Sequence, residues 1–442
     1  MDVTLLGTGD PAGLPRPDCP CAACSRAAAG RHRAATSVLV DQTLLLDLTP
    51  GAAMAAARAG RSLHAVRQVL LTHPHDGPAV EFPDDLPSPV RVPDGRELTL
   101  LGGHRVRAVA LDAPGTGYEV TGPDGRRLLY LPPGGGPAGL GEETEGPYDL
   151  VLLDVAARPD ALARLRAAHA VTWTTDIVAV HLGHDAPDGA ELVRRLAAAG
   201  ARAVPDGTAL RAGDPPDAPE VPRRTLLLGA PGSGVSQEAE RRLATFPEVL
   251  RVLPGTAAGS PPPVVLPPAD DGSVPVPAAV LPPAPGARTP TTGGPPRTGP
   301  HALSPPAPAP TAESHPWGWT TTGTNELLPL LAEDGPPLLV DSLTRWLAAT
   351  HTTSPRAPSR PGARPGPGFG LPAGYSARLA EAVRRSPRPL VLVSDQPPPA
   401  APLPGDRDGR FAAELERLNT AVARECEEVL LIVAGLPVRL RG

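Results

Sequence analysis

The sequence predicts an α/β protein built in two parts with proline-rich interruptions. Three observations carry that expectation. Short apolar, strand-like runs alternate with turns and helical stretches over much of the chain. A proline-rich segment then divides the alternation between Gly213 and Arg224, and a second alternation starts at Thr225. The 442 residues are enough for two or three hydrophobic cores.

In residues 1–212, "SVLVDQTLLLDL", "LLYL", "DLVLLDV" and "DIVAVHL" read as strands, and "GAAMAAARAG" and "GAELVRRLAAAG" as helices. Residues 213–224, "GDPPDAPEVPRR", read as a linker. A second α/β domain is expected over 225–254 and 316–442. Its pieces are "PPLLVDSLTRWLAA" (strand, then helix), "RPLVLVSD" (strand), "RFAAELERLNTAVARECEEV" (helix) and "VLLIVAGLPVRL" (strands), the order of a mainly parallel sheet covered by helices. The 63 prolines and 47 glycines concentrate between these pieces. Residues 255–315 and 353–374 have too little apolar surface to offset the entropy of ordering them, and both are expected to be disordered inserts.

Lys and Arg together number 41 against 47 acidic residues, a net charge of -6, with no basic stripe of the kind that reads nucleic acid. A small-molecule partner and no nucleic acid are therefore expected. "MDVTLLGTGD" has no secretory pattern and no run reaches membrane-spanning length, so no membrane span and a cytoplasmic location are expected. All 41 basic residues are arginine.

Residues Thr225 to Glu240, "TLLLGAPGSGVSQEAE", place an apolar run before a glycine-rich turn and a helix-favouring segment. A phosphate cradle needs glycines so that backbone amides can wrap phosphates, a lysine to neutralise them, and a hydroxyl for magnesium. Gly229, Ala230, Pro231, Gly232, Ser233, Gly234, Val235 and Ser236 fill those positions, with Val235 where lysine would stand. At this point a chance glycine turn between strand and helix is an equal reading. Asp341 in "LLVDSLT" ends a strand, where a carboxylate can serve magnesium or cap the following helix.

Cys19, Cys21 and Cys24 fall together in "PDCPCAACSRA". In a reducing compartment such spacing points to thiolate metal ligands, and zinc would need a fourth ligand from elsewhere. The alternative is a chance group of small apolar cysteines. His73 and His75 in "LLTHPHDGPAV", and His181 and His184 in "AVHLGHDAP", sit at or just past strand ends, where imidazoles can converge on an ion or simply be solvated. Cys426 reads as core.

In order, "LLGTGDPAGLPRPDCPCAAC", "LLLDL", "LLTHPH" and "VHLGH" resemble the metallo-β-lactamase fold, specifically the cyclic phosphodiesterase branch of phosphonate metabolism. The resemblance implies an αββα sandwich and a structural Zn2+ held by Cys19, Cys21, Cys24 and His184. Its catalytic signature H-x-H-x-D-H departs here, because the last two positions are Gly77 and Pro78. The later histidine would fall near Ala113 and the bridging aspartate near Pro132. His73, His75 and His181 are left as a remnant catalytic metal site, with Asp76 one place early.

After the glycine turn, "HPWGWTTTGTNELLPLLAEDGPPLLVDSLTRWLAA", "PLVLVSDQP" and "RFAAELERLNTAVARECEEVLLIVAGLPVRL" resemble the bifunctional adenosylcobinamide kinase / adenosylcobinamide-phosphate guanylyltransferase family. That resemblance implies a P-loop NTPase-like parallel sheet with helices on both faces. It also implies ATP or GTP with Mg2+ as cofactors, nucleotide and corrinoid small molecules as partners, and a homo-oligomer. The phosphate loop and Asp341 would bind nucleotide and magnesium. The guanylylated histidine would fall close to Thr311, so His315 is the nearest candidate, although Pro316 disfavours helix there. The family's "SNEVG" stands here as "SDQPP". The resulting expectation is cobalamin nucleotide-loop assembly with impaired turnover. Two alternatives are a nucleotide- or corrinoid-binding pseudoenzyme and a metal-dependent phosphodiesterase acting through the N-terminal domain.

Overall fold

The computed structural model describes residues 1–73, 85–138, 146–187, 189–215, 221–255, 318–353, 374–396 and 410–442. Several expectations lie outside these residues: His75, Asp76, Gly77, Pro78, His315, the stretch 256–315 of the first insert, 354–373 of the second, and 216–220 of the linker.

The chain begins with β1 (Asp2–Gly7), α1 (Ala22–Arg26), β2 (Ser37–Val40), β3 (Leu44–Leu46), α2 (Ala52–Arg58) and β4 (Gln68–Leu70). It continues with β5 (Glu97–Thr99), β6 (Arg105–Val109), β7 (Gly117–Thr121), β8 (Arg127–Tyr130) and β9 (Leu150–Leu153). Then come α3 (Pro159–Ala167), β10 (Asp176–Ala179), α4 (Gly189–Ala198), β11 (Arg202–Ala203) and β12 (Ala209–Arg211).

These strands form two sheets, ordered β12-β1-β2-β3-β4 and β11-β10-β9-β8-β7-β6-β5. Alternation decides how they stack. Val3, Leu5, Val38, Val40, Leu44 and Leu46 of the first sheet meet Val106, Tyr118, Val120, Leu128, Tyr130, Leu150 and Leu152 of the second in one core. The outward residues of the first sheet, Leu6, Leu39 and Leu45, pack with Ala52 and Ala56 of α2. Leu129, Val151 and Leu153 of the second pack with Leu162 and Leu165 of α3 and Leu192 and Leu196 of α4. The result is helix, sheet, sheet, helix, the αββα order expected from the sequence. Each fully buried leucine contributes about 1.5–3 kcal/mol, so the sandwich draws most of its stability from this layer.

The C-terminal part contains β13 (Arg224–Gly229), α5 (Val235–Leu243), β14 (Val249–Val252), β15 (Trp319–Thr322), α6 (Leu327–Ala332), β16 (Leu338–Asp341) and α7 (Leu343–Thr353). It closes with α8 (Tyr375–Arg385), β17 (Leu390–Asp395), α9 (Arg410–Glu425), β18 (Glu428–Val433) and β19 (Leu436–Arg441). The sheet order is β15-β14-β16-β17-β13-β18-β19. All its pairings are parallel except that of β18 with β19.

Both faces of this sheet are covered, which is why its strands read as nearly continuous apolar runs. Leu226, Val340, Leu390 and Leu392 pack under Leu331 of α6, Trp346 of α7, Leu379 of α8 and Leu418 of α9. On the other face Leu227, Leu339, Val391 and Leu430 pack under Val235, Ala239 and Leu243 of α5. The N- and C-terminal parts belong to one compact unit. No helix among the described residues is long and apolar enough to cross a membrane.

Candidate functional sites: a phosphate loop and a thiolate cluster

β13 lies between β17 and β18, so the loop that follows it leaves the carboxyl edge of the sheet near its middle. Gly232 and Gly234 adopt φ of 79° and 90°, a left-handed backbone that glycine takes at no steric cost. A Cβ at Gly229 would stand 2.3 Å from Ser233 Oγ, so this glycine permits a close approach of the loop to itself. Neighbouring strands pin the turn: the Gln396 N–H donates to Gly229 O (3.0 Å) and the Gly435 N–H to Ser233 O (2.9 Å).

α5 starts at Val235, which is buried in the apolar layer with Leu227, Ala239 and Val393. The lysine position is therefore part of the core. Ser236 Oγ donates to Asp341 Oδ1 at 3.1 Å, although Asp341 ends β16, two strands away. The other oxygen, Oδ2, accepts from Arg251 Nη2 at 2.7 Å, and Arg251 Nη1 lies 2.8 Å from Glu240 on α5. The start of α7 has its own hydroxyl cap, since Ser342 Oγ accepts the Arg345 N–H at 3.3 Å. That leaves Asp341 facing the phosphate loop.

Arg251 and Glu240 did not emerge from the sequence. The available signal was a guanidinium placed mid-strand in "VLRV", where an interior parallel strand ordinarily carries apolar side chains. Next to Asp341, Asn419 Nδ2 donates to Asp395 O (3.1 Å), and Ser394 Oγ donates to Asn419 Oδ1 (2.7 Å). Burial pushes the Asp395 carboxyl up.

The second site joins the two sheets of the N-terminal part. Cys19, Cys21 and Cys24 follow β1, and His184 follows β10. Their ligand atoms all lie within 4.8 Å of one another. His184 Nδ1 stands 3.4 Å from Cys19 Sγ, 3.8 Å from Cys21 Sγ and 3.9 Å from Cys24 Sγ. Tetrahedral zinc, with its usual bond lengths to sulfur and imidazole nitrogen, separates such atoms by about 3.6 Å. The residues present fit that ion.

The arrangement is locally built. Cys21 caps α1, and the Cys24 N–H donates to its sulfur at 3.4 Å, pulling the Cys21 thiol down to about 6. The Arg16 N–H donates to Cys24 Sγ at 3.4 Å. His184 Nε2 lies 3.3 Å from Oδ2 of the exposed Asp185. Asp185 is a further residue that the sequence reading passed over, and its adjacency to His184 was the signal.

His73 and His181 have other partners. His73 Nδ1 is 2.7 Å from Thr72 Oγ1 and 4.0 Å from Asp47, a fully buried carboxylate that also accepts from the Thr72 backbone and from Tyr130. His181 Nε2 donates to Leu131 O at 3.0 Å and its ring stacks on Tyr130. Burial pushes His181 down to about 3, so it is neutral. Among the described residues, the group whose ligand atoms converge is the three cysteines with His184.

Two solved structures are similar to about half of this chain. A diphosphatase of the PhnP family is 21% identical, covering 47% of this chain and 96% of that one, with a TM-score of 0.37. Zn2+-bound PqqB from Methylobacterium extorquens is 18% identical, covering 48% and 100%, also with a TM-score of 0.37. A curated relative, the bifunctional adenosylcobalamin biosynthesis protein CobP of Pseudomonas aeruginosa, is 33% identical over 111 residues. That alignment takes in 25% of this chain and 57% of the relative's length, so the chain spans little more than half of it. The C-terminal region, residues 312–440, matches the family described as cobinamide kinase / cobinamide phosphate guanyltransferase.

Proposed function

We propose that this protein acts in cobalamin biosynthesis as a nucleotide-binding protein of the cobinamide kinase and guanyltransferase type. In this reading the loop 229–236 cradles the phosphates of ATP or GTP, and adenosylcobinamide is the acceptor. The observation that carries the reading is the pairing of Ser236 Oγ with Asp341 Oδ1 at 3.1 Å beside the glycine turn. It places a hydroxyl and a carboxylate together where a phosphate-bound magnesium needs hard oxygen donors.

The backbone amides of the turn and the positive end of α5 attract the phosphate anion. Ser236 and Asp341 would hold magnesium, which, when bound, neutralises phosphate oxygens. Val235 brings no charge to the transferring phosphate. In a desolvated site that loss is worth several kcal/mol, or on the order of a thousandfold in rate. In this reading the loop amides bind nucleotide and phosphoryl transfer is slow. The candidate for covalent GMP transfer, His315, lies outside the described residues.

Zinc at Cys19, Cys21, Cys24 and His184 would cross-link the ends of the two N-terminal sheets, a structural task.

The test is single-turnover transfer of γ-labelled phosphate from ATP or GTP to adenosylcobinamide. The reading expects nucleotide binding with label transfer on the order of a thousandfold below that of a lysine-bearing loop. Absence of any labelled adenosylcobinamide phosphate, or corrinoid turnover without nucleotide, would refute it.

A further inference from the structure

Ion pairs join the N- and C-terminal parts, and they fall on the helix that carries the phosphate loop. Glu191, Arg194 and Arg195 stand on α4. Glu238, Arg241 and Arg242 stand on α5, and Glu428 opens β18.

Glu238 is at the centre. Its side chain accepts from Arg194 Nη2 (3.1 Å) and Arg241 Nη1 (2.6 Å), and it lies 3.8 Å from Arg195 Nη2. Arg194 is itself oriented by two hydrogen bonds to Glu191, from Nε (2.9 Å) and Nη2 (2.7 Å), and its Nη1 is 4.0 Å from Glu428. Arg242 pairs with Glu428. Glu238 is 1% exposed and Glu428 3%. Beside them Arg166 of α3 donates to Thr245 O (2.8 Å) and Oγ1 (2.9 Å) and lies over the Phe246 ring.

Charges this deeply buried keep one geometry, because removing either partner strands the other in low dielectric. The main chain of Glu238 is equally committed: its N–H donates to Gly234 O at 3.0 Å, closing the first turn of α5 on the loop glycine. One residue therefore grips the N-terminal part with its carboxylate and the phosphate loop with its backbone. Ser236 lies two positions earlier on the same turn. At the other end of the connection, α4 begins five residues after His184.

We propose that Glu238 is a positioning residue for the phosphate loop. Arg194 and Arg195 of α4 hold it, and so fix α5, the glycine turn and Ser236 against the N-terminal part. That part is thereby a scaffold of the nucleotide site as well as the bearer of the thiolate cluster. The inference rests on the phosphate-loop reading above.

The experiment is Mg·GTP titration of the full chain and of Glu238→Gln, Arg194→Met and the double variant, well below the melting temperature of each. Each single variant is expected to weaken binding about tenfold, with the double variant no weaker than the worse single, as coupled partners require. Glu238→Asp, which keeps the charge, is expected to recover part of the loss. Should Glu238→Gln fail to fold, Arg195→Met removes the longer contact to Glu238, together with the Arg195 hydrogen bond to Glu191 (2.5 Å), and is expected to act in the same direction to a smaller extent. Folded single variants that bind like wild type, or losses that multiply in the double variant, overturn the inference and leave the phosphate-loop reading standing. A wild type that binds no nucleotide overturns both.

Discussion

Ser236 on the first turn of α5 donates its hydroxyl to the carboxylate of Asp341 at 3.1 Å, although β17 lies between β13, which leads into α5, and β16, which ends in Asp341. The pairing brings together two residues 105 positions apart. It sets a hydroxyl and a carboxylate beside the glycine turn.

The turn depends on backbone that only glycine adopts freely. Gly234 has φ 90°, and an added Cβ would meet Gln237 Oε1 at 3.2 Å and Gly435 Cα at 3.4 Å. Gly234→Ala is expected to cost about 1–2 kcal/mol. Thermal unfolding should show a midpoint lower by a few degrees, and nucleotide titration should show weaker binding.

The thiolate cluster should hold one zinc per chain, measured by elemental analysis of the purified protein. Removing it with a strong chelator breaks a link between two sheets. The expected fall in melting temperature is roughly 5–10 °C, since each kcal/mol shifts a domain of this size by about 2–4 °C. Cys24→Ser should reproduce that fall without chelator. Two or more ions per chain would point instead to an intact hydrolase centre.

His181 makes a prediction about acid stability. Burial lowers its folded-state value from 6.5 to about 3. The unfolded chain therefore takes up a proton below about pH 6.5 that the folded chain refuses. Stability attributable to this residue is full above that pH and falls as pH drops toward 3, at up to about 1.4 kcal/mol per unit. His181→Asn tolerates the positive φ of 59° at this position. It should flatten the decline between pH 6.5 and 5 in denaturant titrations, and an unchanged slope would remove His181 as its cause.

Much of the fold was legible because its strands obey simple periods. The doubly covered strands "TLLLG", "LLVD" and "LVLVSD" are continuous apolar runs, and the cysteine spacing announced a cluster whose fourth member, His184, was recoverable from the resemblance. Less visible were β5, only three residues long, β6, where two arginines interrupt the apolar residues, and β15, where "WTTT" carries a polar threonine run. The contact between α4 and α5 was invisible for a different reason. Arg194 and Glu238 read in sequence as ordinary solvated helix charges, and only packing one helix on the other buries them. Arg251 was hidden similarly, because its partner Asp341 lies 90 positions away.

A loop without its lysine must still bind nucleotide if the proposed function holds. The measurement is calorimetric titration of the full chain with GTP and magnesium, beside Ser236→Ala. Saturable binding with a Kd on the order of 10 µM is expected for wild type, and about tenfold weaker binding for Ser236→Ala. Wild type that gives no binding heat and no saturation, or Ser236→Ala that binds as tightly as wild type, would contradict the proposed function.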